Sequence, residues 1–155
     1  MKITRALAAT AALALIAAPA AMGQNADPNA RAHFLSPIKV VGKQAKLKVR
    51  YRCSSGEALW VSAKQDKSRK KNPDIKKEGS SKISAAWWQS HRNTFTCDGQ
   101  YHTAKFSIDK VEPGSKRKLK KGKAWVQFCV TQGEETLILS KSGWVKVKRG
   151  KPAGY

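Results

Sequence analysis

Three cysteines, Cys53, Cys97 and Cys129, and three histidines, His33, His91 and His102, are the residues of this 155-residue chain most suited to chemistry. A thiol nucleophile needs a neighbouring base and a group that orients it. Cys129 with His91 or His102 is the combination on offer. No flanking signature accompanies it, and a lone strand cysteine commonly serves as a small buried apolar residue. A zinc site made from Cys53, Cys97, His91 and His102 lacks paired ligands at short spacing, and cysteines joined in a disulfide cannot supply thiolates. Paired carboxylates for glycoside hydrolysis are also missing from the pattern. The 10 acidic residues are scattered singly except for Glu134 and Glu135, which a turn explains. The sequence therefore assigns no catalytic residue, no metal ligand and no cofactor. An enzyme with Cys129 as nucleophile is the least favoured alternative.

Charge is a stronger signal. Lysine and arginine number 31 and the formal net charge is +21. A few units of net charge keep a small domain soluble, so an excess this large points to an anionic partner. The cations fall into three sets. Lys46, Lys48, Arg50 and Arg52 alternate along one strand-like run. Lys67, Arg69, Lys70, Lys71, Lys76 and Lys77 lie in a polar stretch, 66–82, with seven basic and three acidic residues. Lys116, Arg117, Lys118, Lys120 and Lys121 lie in a second, 110–123, with seven basic and one acidic. Lysine dominates both, which suits diffuse electrostatic contact better than bidentate recognition of one group. The two loop sets are the expected polyanion-binding residues. Five tryptophans complete the inventory. Trp87, Trp88, Trp125 and Trp144 are the candidate stacking residues, and Trp60 is placed to pack over a disulfide.

The elements that must hold these residues are strands. The first 23 residues read as a secretory signal, with Lys2 and Arg5 ahead of a 13-residue apolar run from Ala6 to Ala18. That run is short of the roughly 20 residues a membrane span needs. Cleavage is placed after Gly23, with Ala20 or Ala21 as alternatives. Loss of Lys2 and Arg5 leaves 29 basic and 10 acidic residues, a charge of about +19. Residues 24–36 read as a linker, 37–148 as one β domain and 149–155 as a basic tail.

Within the domain, Ala45, Leu47, Val49, Tyr51 and Cys53 share one face of a strand. Phe95 and Cys97 point inward by the same alternation, whereas Ala124, Val126, Phe128 and Val130 leave Cys129 on the opposite face. The expected bridge is Cys53 to Cys97, with Cys129 free and able to join two chains. Ile38 to Val41 reads as an edge strand. Ala58 to Gln65 reads as the hairpin partner of the preceding strand, and Asp98-Gly99 as the turn of a hairpin from Phe95 to Ile108. Strands at 123–131 and 136–148 form a last hairpin. Ile83 to His91 fits either a short strand or a helical turn. About seven short strands with polar connections give an immunoglobulin-like antiparallel β-sandwich, with an open barrel as the alternative.

Three short motifs carry a resemblance. Val49-Arg50-Tyr51-Arg52-Cys53, Thr96-Cys97-Asp98-Gly99 with His102, and Gly122-Lys123-Ala124-Trp125-Val126 are similar to the small secreted immunoglobulin-like proteins of actinobacteria, over residues 38–148. The resemblance implies a two-sheet fold and a bridge between the first two cysteines, and it implies no activity. The expectation for function is a secreted or envelope-associated, monomeric cationic sandwich that binds an anionic envelope polymer through its lysine loops. A small-ligand or protein-binding module using the tryptophans is the runner-up. Membrane disruption ranks lower, since no long amphipathic helix is visible.

Overall fold

The fold is given by a computed structural model, which describes residues 27–77, 80, 83–92, 94–111, 118–133 and 136–150. The expected signal segment 1–23, residues 24–26 of the expected linker, Lys116, Arg117 and the last five residues of the expected tail lie outside that set. Nine strands are present among the described residues: β1 (Arg31–Phe34), β2 (Ile38–Val41), β3 (Gln44–Arg52), β4 (Ala58–Gln65), β5 (Ala86–Arg92), β6 (His102–Ile108), β7 (Lys110–Val111), β8 (Gly122–Gln132) and β9 (Thr136–Arg149). A 3-10 turn, Pro73–Lys76, lies in the β4–β5 connection.

Alternation decides the interior. Ala45, Leu47, Val49 and Tyr51 of β3 are buried while the intervening cations are exposed or half-exposed, and Ala124, Val126, Phe128 and Val130 of β8 do the same. Strand β3 pairs with β1 and β2 along one edge and with β6 along the other, and β9, β8, β4, β5 and β7 follow one another in a second layer. The layers face each other through rings. Tyr51 lies 5.6 Å from Phe128, and Phe106 lies 5.3 Å from Phe128 in an edge contact. Such packing of two apolar faces is what half-buried strands require for stability. The chain is an all-β, immunoglobulin-like sandwich.

Several local expectations are corrected. The linker contains a strand, because β1 pairs antiparallel with the end of β3 and buries Ala32. Strand β2 is interior, antiparallel to β3 and parallel to β9, and so joins the two layers. Strands β3 and β4 do not form a hairpin. Each has one apolar face, and that face is buried equally well by a neighbour across the core as by membership of the same sheet. Residues 95–97 are not a strand, and β6 pairs with β3 instead. Asp98 directs that outcome by accepting from the Gln100 amide at 2.9 Å and from His102 at 2.7 Å, a local turn that competes with a ladder. The undecided run from Ile83 to His91 contributes strand β5.

The Cys53–Cys97 bridge is formed and Cys129 is free. Beside the bridge, Asp27 accepts from the Ser54 hydroxyl at 2.7 Å and the Ser54 amide at 2.9 Å, which ties the start of the domain to the end of β3. The Ser54 hydroxyl, with the amides around it, holds the Asp27 carboxyl below the usual carboxylate range. Its stabilising contribution is therefore present at neutral pH and is lost as pH falls through the acid range.

Candidate polyanion interface

Cys129 and the histidines are not assembled for nucleophilic chemistry. Trp60 stands between Cys129 and His91, since it pairs with Cys129 across β4–β8 and with His91 across β4–β5. His102 belongs to the other layer and is held by Asp98. Burial pushes the Cys129 thiol up, away from the thiolate form, and its neighbour is the Ser140 hydroxyl at 3.8 Å. Among the described residues no group of three histidine, cysteine, aspartate or glutamate side chains could hold a metal ion.

The lysine loops meet. Gln65, at the end of β4, turns its amide onto the backbone of the second loop, accepting from the Lys120 amide at 2.8 Å and donating to the Lys120 carbonyl at 2.8 Å. The Lys123 amide donates to the Arg69 carbonyl at 2.8 Å. As a result Lys67 and Arg69 from one loop and Lys118 and Lys120 from the other line a single groove of about 250 Å³, with Asp66 at its edge. Asp66 is occupied by its own loop, accepting from the Ser68 amide at 2.7 Å and from Asn72 at 3.2 Å. Lys70 and Lys71 are exposed farther along the same loop. Lys121 lines a different groove with Lys146, Lys148 and Arg149. Lys77 is paired with Asp74 at 2.7 Å, and the Lys76 ammonium sits 5.1 Å from the centre of the Trp125 ring.

Gly122 makes the loop contact close. Its φ is +151°, and a Cβ there would meet the Arg69 Cβ and carbonyl oxygen at 2.6 Å each. Gly122→Ala is therefore expected to cost on the order of 1–3 kcal/mol and to drive the loops apart. Thermal unfolding together with amide exchange at Lys123 checks this. An unshifted melting temperature with the Lys123 amide still protected contradicts it.

The tryptophans divide in a way that alternation only partly anticipates. Trp88 is 1% exposed and belongs to the core, so it is removed from the stacking candidates. Trp60 does not pack over the disulfide. It lies on the outer face of β4, donates to Gln89 Oε1 at 2.7 Å and stacks on His91. Trp87, Trp125 and Trp144 are half-buried on that same outer face. Cross-strand pairing sets Trp87, Lys64, Trp125 and Trp144 in one row over β5, β4, β8 and β9. The β4–β5 connection folds over part of this row. It buries Ile75 completely and brings Ser80 within 3.2 Å of the Lys64 ammonium, which also lies 4.8 Å from the Trp87 ring centre.

A cationic surface also lies on the sheet, and it extends beyond the residues that sequence singled out. Lys148 of β9 is opposite Lys39 of β2, which is opposite Lys46 of β3. Lys48 faces Lys105 of β6, Arg52 faces Arg31 of β1, and Lys123 faces Lys146. Lys39, Lys46, Lys48, Lys105, Lys148 and Arg149 line a groove of about 520 Å³, bordered also by Val41. Farther along β3, the Arg50 guanidinium covers the exposed Tyr101 ring at 4.3 Å. Lys77 is ion-paired with Asp74 and His102 is hydrogen-bonded to Asp98, and neither contact touches these rows. The alternation at Lys105 against Phe106 and at Lys146 and Lys148 against Val147 was a usable signal for these outward cations. Their juxtaposition was not, because it depends on strand order.

Fold and surface together define a β-sandwich whose outer face carries rows of opposed cations. Compared with known families and with curated proteins, the chain matches no family model and no individual protein at a significant level. The described residues contain no helix long and apolar enough to cross a membrane.

Proposed function

We propose that the protein binds acidic polymers outside the cytoplasm, using the lysine-bearing outer face of β2, β3, β6 and β9 together with the groove between its two basic loops. The observation that carries this reading is a set of five directly opposed like-charge pairs: Lys39 with Lys148, Lys39 with Lys46, Lys48 with Lys105, Arg31 with Arg52, and Lys123 with Lys146. Like charges set opposite one another on neighbouring strands are destabilising by a few tenths to about 1 kcal/mol each. A polyanion laid across them converts that repulsion into attraction and releases its own counterions.

The disulfide supports an oxidising compartment, as does the leader-like segment at the start of the chain. An anionic envelope polymer fits that location, and export in monomeric form is part of the proposal. So is kinship with the small secreted immunoglobulin-like proteins of actinobacteria, supported by the strand pattern and the bridge. The direct test is retention on heparin and binding of polyphosphate across a salt series. A linear fall of log K with log salt, with a slope corresponding to several released counterions, is expected. Binding that is unchanged between about 0.05 and 0.5 M salt, or no binding at low salt, contradicts the proposal.

A further inference from the structure

A second groove, also about 520 Å³, runs between the 33–37 connection and β9. It differs from the sheet-face groove in having an aromatic wall. Trp144 is half-buried there, and its indole meets that of Trp125 edge-on at 5.4 Å and 65°, which fixes the plane of the ring. Phe34 also lines this groove, where its half-buried ring packs against the core and makes an ordinary contact beside Gly143. Leu35, 48% exposed, continues the apolar wall. Lys141, Lys146 and Lys148 line the groove from β9. Ser36 and Lys148 are shared with the sheet-face groove, so the two form one continuous track.

A ligand for this track needs a flat apolar face at one end and repeated negative charge along its length. A pyranose ring bearing a carboxylate or sulfate has both, since its C–H face covers an indole while its acidic substituent reaches an ammonium. Polyphosphate and acyclic polyol phosphates have no ring face to offer. The cations of the adjoining track sit on successive strands, about 4.8 Å apart, which is comparable to the advance of one sugar residue along a glycan. We infer that Trp144, with Phe34 and Leu35 beside it and lysines of β9 around it, is a stacking subsite for one ring of an acidic polysaccharide whose remaining charges lie across Lys148, Lys39 and Lys46.

This inference rests on the polyanion reading and narrows it to a class of polymer. Its test compares the wild type, Trp144→Ala and Trp144→Phe against three probes: a heparin-derived oligosaccharide, polyphosphate and a single-stranded oligonucleotide. Trp144→Ala is expected to weaken oligosaccharide binding roughly tenfold, the scale of losing one aromatic stacking partner. Trp144→Phe retains most of the affinity, and polyphosphate binding is unchanged in both variants. Tryptophan emission of the wild type shifts with the oligosaccharide and not with polyphosphate. Equal weakening toward oligosaccharide and polyphosphate, or none toward either, overturns the sugar subsite while leaving the electrostatic reading intact. Dependence on Trp144 for the oligonucleotide alone overturns it in favour of base stacking. Failure to bind both the oligosaccharide and polyphosphate at low salt removes the polyanion reading and the subsite with it.

Discussion

Lys46→Glu and Lys48→Glu, made together, are expected to remove most of the affinity for polyanions and to raise the melting temperature. Lys46 is opposed by Lys39 and Lys48 by Lys105. Reversing one member of each pair replaces two repulsions with two attractions, each within the few tenths to about 1 kcal/mol typical of cross-strand charge pairs. The summed gain is about 1–4 kcal/mol, or on the order of 3–20 °C for a domain of this size. Binding moves the other way. Two contacts are lost and two negative charges enter the centre of the track, so the salt slope falls by about 2 or more and affinity at low salt drops on the order of a hundredfold. Heparin chromatography and calorimetry on the same preparation check both halves. The decisive comparison is with Lys70→Glu and Lys71→Glu on the exposed loop. If the loop pair abolishes binding and the sheet pair does not, the sheet face is not the interface.

Removing the disulfide has the largest expected effect on stability. The bridge spans a sequence separation of 44 residues, for which chain-entropy arguments give about 4 kcal/mol. That is a large fraction of the 5–15 kcal/mol by which domains are ordinarily stable. It fastens the end of β3 to the segment that leads into β6, where the Gly99 amide also donates to the Cys53 carbonyl at 2.8 Å. Cys53→Ala with Cys97→Ala is the informative variant, because a single replacement leaves an unpaired reactive thiol. Its melting temperature is expected to fall on the order of 10–20 °C. Since β3 and β6 carry Lys46, Lys48 and Lys105, binding should be lost in step with unfolding and not before it. A loss of stability below about 1 kcal/mol in denaturant titration contradicts the entropic account.

The pairing of Cys53 with Cys97 was legible because both follow the apolar phase of their segments, while Cys129 lies out of phase with Val126, Phe128 and Val130. The same reasoning found the buried faces of β3, β4 and β8, since a period of two leaves little choice about which side is apolar. It failed where two solutions bury the same face. The run ending at Cys53 and the run starting at Ala58 look like a hairpin, yet they belong to opposite layers. Trp88 and Trp87 are adjacent and chemically identical, and only the phase of β5 makes one of them core and the other surface. A segment undecided between strand and helix gives no phase to read.

Composition and alternation by themselves determined that this is an all-β domain with a stapled core and an excess of cations. Those properties follow from residue type and from the two-residue repeat of extended chain, which act locally. Tertiary structure alone decided that Lys39, Lys46, Lys48, Lys105 and Lys148 form one track, that the two basic loops meet at Gln65 and Gly122, and that Trp144 stands at the end of a charged groove. Each depends on strand order, including the parallel pairing of β2 with β9. Strand order is set by which arrangement closes the core around Tyr51, Phe106 and Phe128, and no single segment carries that information.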